Sequence, residues 1–142
     1  MSKITKIKNN SCHTLKIIGT PIGNIMDLSP RGIEAFEQAD FILCEDTRVT
    51  KKLSQLRNFR IQKLISFNEF NESRKINSVI SKIISGKNVV LSSDAGMPLV
   101  SDPGFKLVNA CIENKIIIDV VPGPSAIITA LVSSGLSSAN FY

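Results

Sequence analysis

Apolar residues along this chain fall into five short continuous runs, each followed by a segment with helical spacing. The runs are rich in β-branched residues and show little alternation, which is typical of strands covered by helices on both faces. They occupy residues 14–20, 41–44, 63–66, 88–91 and 116–121. Because strand and helix alternate five times, we expect an α/β domain of three layers around a mainly parallel five-stranded sheet.

The segments between and after these runs predict five helices. The clearest has apolar residues at 76, 79, 80, 83 and 84, the spacing of an amphipathic helix, and Gly86 closes it. In the helix after the second strand, Leu53 and Leu56 are expected to point inward. Apolar residues at 107, 108, 111 and 112 mark a helix over about residues 103–113, and a last helix runs from Ala126 to about residue 133.

Three loops rich in glycine and proline follow the first, fourth and fifth strands. They occupy residues 21–24, 92–104 and 122–125. In an open α/β sheet, ligands bind at the carboxyl ends of the strands. Backbone N–H groups in such loops can bind a carboxylate, and carbonyl groups can bind an ammonium. The loops therefore suit a ligand with an amino acid end and a nucleoside end.

The composition narrows the function only slightly. The net charge of +5 is compatible with an anionic partner such as RNA, and equally with a merely basic soluble protein. No apolar run approaches the ~20 residues of a membrane span. We expect residues 1–13 to form a basic flexible tail rather than a secretion signal, and the protein to be cytoplasmic.

Metal and nucleotide motifs are missing from the sequence. The three cysteines lack the spacing of a zinc site and indicate reduced thiols, and His13 is the only histidine, so no metal is expected. The segment 19–23 departs from G-x-G-x-x-G, and no G-K-[ST] occurs. A dinucleotide dehydrogenase or a P-loop NTPase is therefore not supported.

Four segments together resemble the motifs of the tetrapyrrole methylase superfamily. They are residues 19–24, 44–48, 93–104 and 122–126, in the family's order and spacing. The resemblance covers about residues 15–142. It is closest to the ribosomal RNA branch, because Met97 stands where precorrin methylases usually have aspartate. The ribosomal branch commonly has threonine at this position.

The resemblance implies an S-adenosyl-L-methionine-dependent enzyme that methylates the 2′-hydroxyl of a cytidine ribose in small-subunit ribosomal RNA. It implies a homodimer acting on this RNA or on the 30S subunit. It also implies that residues 14–142 are an N-terminal domain, with half of the cofactor cleft supplied by a second domain that this sequence lacks. The alternatives are a tetrapyrrole C-methyltransferase and an inactive folded fragment or dimerisation module. By motif match, the cofactor-binding residues are Pro21, Gly23, Asp94, Ala95, Gly96, Met97, Pro98, Val100, Pro122, Gly123, Ser125 and Ala126.

A polar cluster directly after the second strand supplies candidates for catalysis. A ribose hydroxyl is a poor nucleophile and benefits from a general base or from polarisation. Glu45, Asp46 and Arg48 are the candidates, with Glu69 behind them. An exposed ion-pair cluster that caps the second helix explains the same residues. Basic residues at 48, 51 and 52 fit phosphate contacts or a solvated helix face.

Overall fold

The computed structural model describes residues 13–141, so almost all of the expected tail lies outside the described residues. Five strands alternate with five α-helices, as the hydrophobic pattern predicts. The strands are β1 (Thr14–Ile18), β2 (Phe41–Cys44), β3 (Lys63–Ser66), β4 (Val89–Ser92) and β5 (Ile117–Val121). The α-helices are α1 (Pro30–Gln38), α2 (Thr47–Leu56), α3 (Glu72–Ile84), α4 (Phe105–Glu113) and α5 (Ala126–Ser134), and a 3₁₀ turn occupies Ile25–Asp27.

The strands form one sheet in the order β3-β2-β4-β1-β5. Every pairing between these five strands is parallel, which confirms the predicted fold class. The sheet that was predicted to be mainly parallel is parallel in all four of these pairings. In this order β4, β1 and β5 are neighbours. The three loops rich in glycine and proline therefore leave adjacent strands at the same edge of the sheet.

The core has two parts, one on each face of the sheet. Alternate strand residues point to opposite faces, so Leu43 packs in the part covered by α3 and α4, whereas Ile42 packs in the part covered by α1. Phe36 of α1 stacks on Phe59 with ring centroids 5.3 Å apart. This division gives the three layers of the predicted architecture.

Helix ends follow local chemistry. The Ser29 hydroxyl accepts a hydrogen bond from Gly32 N at 3.0 Å, so serine caps α1. Gly86 follows α3 with φ +83°, a left-handed conformation that glycine adopts at little cost. Helix α4 begins at Phe105, later than expected, because Gly104 has φ +126° and is outside the helical region.

One inward assignment from the periodicity is wrong. Leu56 is 54% exposed, because α2 buries the small polar residues Thr50 and Ser54 against the sheet instead. In α4 the inner face is formed by Leu107 and the cysteine at 111, and Ile112, which helped to mark this helix, is 61% exposed.

The β5 end of the sheet is less covered than the hydrophobic runs predict. Helix α5 is apolar, yet none of its residues 126–134 is buried. Ile127, Ile128 and Val132 are exposed by half or more. A helix that is apolar on all sides usually packs inside a protein, so this face is suited to contact with further protein surface.

Candidate active site

The loops after β1 and β5 touch through their backbones. A Cβ atom at Gly19 would lie 2.6 Å from the Cα of Gly123 and 2.6 Å from the Sδ of Met97. A Cβ atom at Gly123 would in turn lie 2.7 Å from backbone atoms of Gly19. Glycine is needed at both positions because only a residue without a side chain allows this approach. The first, fourth and fifth strands thus bring all three loops to one junction.

A short antiparallel bridge fixes the loop after β4 to the loop after β1. Thr20 N donates to Gly96 O at 2.8 Å, and Gly96 N donates to Thr20 O at 3.1 Å. The Thr20 hydroxyl also donates to Ser93 O at 3.2 Å, and the Ser93 hydroxyl donates to Gly96 O at 3.0 Å. Thr20 was predicted as part of the first strand and of the first family motif, but not as a residue that bridges two loops. Its partner Gly96 lies 76 residues away along the chain, so no local sequence pattern predicts this pairing.

The loop after β4 contains several unusual backbone conformations. Leu99 and Ser101 have φ of +72° and +64°, which non-glycine residues rarely adopt. Gly104 has φ +126°, a conformation that favours glycine, and an added Cβ atom there would lie 2.7 Å from the Leu91 Cδ2. Such conformations persist where the surrounding structure holds them, often at functional sites.

The three loops together form a rim at the carboxyl ends of β1, β4 and β5. The twelve predicted cofactor residues lie on this rim in different ways. Gly96 and Pro98 are buried, and the Gly96 backbone is already paired with Thr20, so they shape the loop. Met97 and Gly123 contact Gly19 at the junction. The exposed members are Gly23, Ala95, Val100, Pro122 and Ala126, and those of intermediate exposure are Pro21, Asp94, Met97, Gly123 and Ser125.

Five carboxylates gather at the carboxyl ends of β2, β3 and β4. They belong to Glu45, Asp46, Glu69, Asp94 and Asp102. Burial and then the neighbouring charges of Asp94, Asp102, Glu69 and Asp46 raise the pKa of Glu45 above its usual value. Burial raises the pKa of Asp102, an effect that the polar side chain of Ser93 opposes and the charge of Asp94 reinforces.

Asp46 and Arg48 form the ion pair that the capping explanation anticipates. The Asp46 carboxylate accepts from Arg48 N at 2.8 Å, which caps α2, and lies 2.6 Å from the Arg48 Nη2. These hydrogen bonds lower the pKa of Asp46 to about 2. Asp46 N donates to the Asp94 Oδ1 at 3.1 Å, so the capping residue is also linked to the loop after β4.

A groove of about 230 Å³ lies beside the junction, between the chain after β1 and helix α2. Val49, Leu53 and Leu56 of α2 form one wall, and Pro21, Gly23 and Ile25 form the other. Lys52 and Asp94 supply the polar groups. An added Cβ atom at Gly23 would meet no atom within 4 Å, so a ligand can approach the backbone there. The groove shares three residues with the predicted cofactor set.

Two structural findings bear on other classes of site. Within residues 13–141, no helix is both long and apolar enough to cross a membrane. The same part of the chain holds no group of three or more histidine, cysteine, aspartate or glutamate residues arranged to bind a metal ion.

Residues 14–142 match the family described as Tetrapyrrole (Corrin/Porphyrin) Methylases. A Thermotoga maritima protein named Ribosomal RNA small subunit methyltransferase I is 45% identical over 128 residues, 89% of this chain and 57% of that relative. The Escherichia coli O157:H7 protein of the same name is 42% identical over 134 residues, 94% of this chain and 46% of that relative. The chain spans about half the length of the curated relatives it matches.

Solved structures of low sequence identity share the fold. A cobalt precorrin-4 methyltransferase matches with a TM-score of 0.70 at 19% identity, covering 92% of this chain and 54% of that one. A uroporphyrin-III-C-methyltransferase from Thermus thermophilus matches with a TM-score of 0.63 at 20% identity, covering 90% and 54%.

Proposed function

Because the chain belongs to the tetrapyrrole methylase family, as its four motifs predicted, we propose that it is an S-adenosyl-L-methionine-dependent ribosomal RNA methyltransferase. Its acceptor is the 2′-hydroxyl of a cytidine ribose in the small-subunit RNA. The observation that carries the proposal is the single junction of three loops from neighbouring strands. The names of the relatives at 42 and 45% identity support RNA rather than a tetrapyrrole as the acceptor.

The rim fits a ligand with polar ends and an apolar middle. The exposed residues Gly23, Ala95 and Pro122 offer backbone N–H or C=O groups, and the exposed side chains of Val100 and Ala126 add apolar surface. When bound, S-adenosylmethionine supplies a methyl group already activated on a sulfonium, so the protein contributes mainly orientation and exclusion of water. The contacts within the twelve-residue set remain predictions of the motif match.

Among the candidate bases, Glu45 is the best suited to take the proton of the acceptor hydroxyl. Its raised pKa makes its carboxylate a stronger base than an ordinary glutamate. Asp46 is the least suited, because the ion pair with Arg48 and its pKa of about 2 make it a weak base. Glu69 adds negative charge that raises the pKa of Glu45, and Arg48 holds Asp46 at the start of α2.

Isothermal titration of the chain with S-adenosylmethionine tests cofactor binding. Ala126→Trp places an indole at the exposed first residue of α5, on the rim, and we expect it to weaken binding at least tenfold. Ala130→Trp is the matched control, because Ala130 is also exposed but lies one helical turn away. Equal affinities for the two variants would remove α5 from the cofactor site.

The Thermotoga relative, titrated in parallel, tests whether this half of the fold suffices. If the relative binds S-adenosylmethionine and the chain does not, the site needs a second wall. For the acceptor, the relative and the chain are each offered immature small subunits and uroporphyrinogen. Methyl transfer to a cytidine ribose, detected by mass spectrometry, supports the proposal. Transfer to the tetrapyrrole alone contradicts it.

We further propose that the chain forms a homodimer. We also propose that it acts in the cytoplasm, where ribosomes are assembled. The exposed apolar side chains of α5 and β5 supply a surface for a second copy. Ile128→Glu is therefore expected to shift the chain toward monomer in light scattering. Ile112→Glu, on exposed α4, serves as the control. An unchanged mass for the Ile128 variant would exclude α5 from the dimer contact.

A further inference from the structure

Helix α2 is turned with its polar residues inward. Thr50 and Ser54 are 3% and 5% exposed, whereas Val49 is 39% and Leu56 54% exposed. The buried hydroxyl of Ser54 donates to Lys51 O at 2.8 Å, and Thr50 is hydrogen bonded to the side chain of Cys44. Turning leucine outward and serine inward forgoes hydrophobic stabilisation. Val49 and Leu56 are thus available to a ligand, whereas Leu53 is partly buried and also packs against the core.

These apolar residues form one wall of the groove beside the loop junction. Val49, Leu53 and Leu56 recur at i, i+4 and i+7, and Lys52 lies in the same stripe. The Arg57 guanidinium, at the C-terminal end of α2, donates a hydrogen bond to Ile25 O of the opposite wall. This bond links the end of α2 to the segment after β1.

Helix α2 and the segment after it carry basic residues without acidic ones. Residues 47–68 contain six basic residues and no acidic residue. They are Arg48, Lys51, Lys52, Arg57, Arg60 and Lys63. Lys51 and Lys52 are both exposed, and Lys52 lines the groove itself. This positive surface complements a chain of phosphates better than an acidic or neutral protein surface.

We propose that the groove receives one unstacked nucleotide of a single-stranded RNA segment, while the basic side of α2 holds the flanking phosphates. This deepens the proposed function, on which it rests, by naming the site of the acceptor strand. The apolar wall contacts the face of the base, as in other proteins that bind unstacked bases. The groove's border with the cofactor rim at Pro21, Gly23 and Asp94 brings acceptor and donor together.

The charged part of the proposal is tested with a short fluorescein-labelled single-stranded RNA and the full 142-residue chain. The variant is Lys51→Gln with Lys52→Gln, and the control is Lys106→Gln with Lys115→Gln, which removes two exposed charges from α4 and its C-terminal end. For two lost phosphate contacts, the slope of log affinity against log salt falls by about 1.4, or about 25-fold in affinity at 0.1 M salt. We expect this loss for the α2 pair alone. Equal losses for the two pairs would overturn the proposal.

The apolar part is tested with Leu56→Ser against Ile112→Ser, both at exposed positions. We expect Leu56→Ser to weaken RNA binding about tenfold without lowering the melting temperature, and Leu56→Met to retain binding. Each variant is also titrated with S-adenosylmethionine. Lost cofactor affinity with unchanged RNA affinity assigns the groove to the cofactor and overturns the proposal.

The two readouts separate failure of this proposal from failure of the proposed function. If S-adenosylmethionine binds and the α2 variants leave RNA affinity unchanged, the methyltransferase assignment stands and the groove proposal fails. If the Lys51/Lys52 variant binds RNA normally but associates less with 30S subunits, α2 contacts a ribosomal protein, which also overturns it.

Discussion

Replacing Gly19 by alanine tests whether the three loops meet in solution as they do in the structure. The added Cβ atom would lie 2.6 Å from the Gly123 Cα and 2.8 Å from the Gly123 N. Carbon atoms pack at about 3.5–4.0 Å, so the loops must separate by about 1 Å. The nearest atoms on this side are backbone, and a rotamer change cannot provide the space.

The cost follows from the bonds that the separation breaks. Gly19 N donates to Val121 O at 3.1 Å, and a 1 Å shift removes this hydrogen bond. A lost hydrogen bond costs about 1 kcal/mol, and crowding of a packed contact about 1–3 kcal/mol. We therefore expect Gly19→Ala to lower the free energy of unfolding by about 2–4 kcal/mol, a large share of a typical total.

Urea denaturation followed by circular dichroism measures this loss. Gly86→Ala is the informative control, because Gly86 has φ +83° but an added Cβ there meets nothing within 4 Å. That variant isolates backbone strain, which costs about 1–2 kcal/mol, whereas Gly19→Ala isolates crowding. A loss below about 0.5 kcal/mol for Gly19→Ala would show that the β1 and β5 loops are not in contact.

Three further predictions follow from buried and charged groups. Glu72 is 5% exposed and its Oε1 accepts from Leu107 N at 3.2 Å, so Glu72→Ala should lower the free energy of unfolding by about 2 kcal/mol and Glu72→Gln by less. Glu45 has a raised pKa in the folded state, so its contribution to stability falls as the pH rises above 4.5, the ordinary pKa of glutamate. Glu45→Gln should therefore flatten the fall of the melting temperature with pH, and parallel curves for variant and wild type would contradict the prediction. Burial raises the pKa of Cys44 and raises that of Cys111 to about 11, so alkylation at pH 8, mapped by mass spectrometry, should reach neither until urea is added.

Sequence patterns predicted the strands well because parallel strands covered by helices appear as short apolar runs. The runs at residues 41–44 and 63–66 match β2 and β3 at both ends, although β3, at the edge of the sheet, has no buried residue. Helix caps were also readable, since Ser29 and Gly86 act through bonds within one turn. The family motifs added the order of the loops along the chain. The place where the loops meet depends on the order of the strands in the sheet, and no local sequence pattern predicts that order.

The wrong assignment of Leu56 has a physical origin. Periodicity identifies which residues share a helical face, but it cannot tell whether that face meets the core or a groove. Leu53 packs against the core as predicted, but Leu56 is exposed, and Thr50 and Ser54 are the buried residues of α2. Small side chains fit where helix and sheet approach closely, and their hydroxyls bond within the same region. An apolar stripe predicted as core thus became part of the candidate site.

The distribution of charge around the candidate site indicates how an RNA strand would be oriented there. Carboxylates gather at the ends of β2, β3 and β4, next to the loop junction, whereas basic residues occupy α2 and the segment after it. Phosphates are repelled by the first group and attracted by the second. Under the proposed function, an RNA strand therefore lies with its backbone along α2 and only its uncharged ribose and base near Glu45. The same carboxylates that raise the pKa of Glu45 then keep phosphate oxygens away from the methyl-transfer rim.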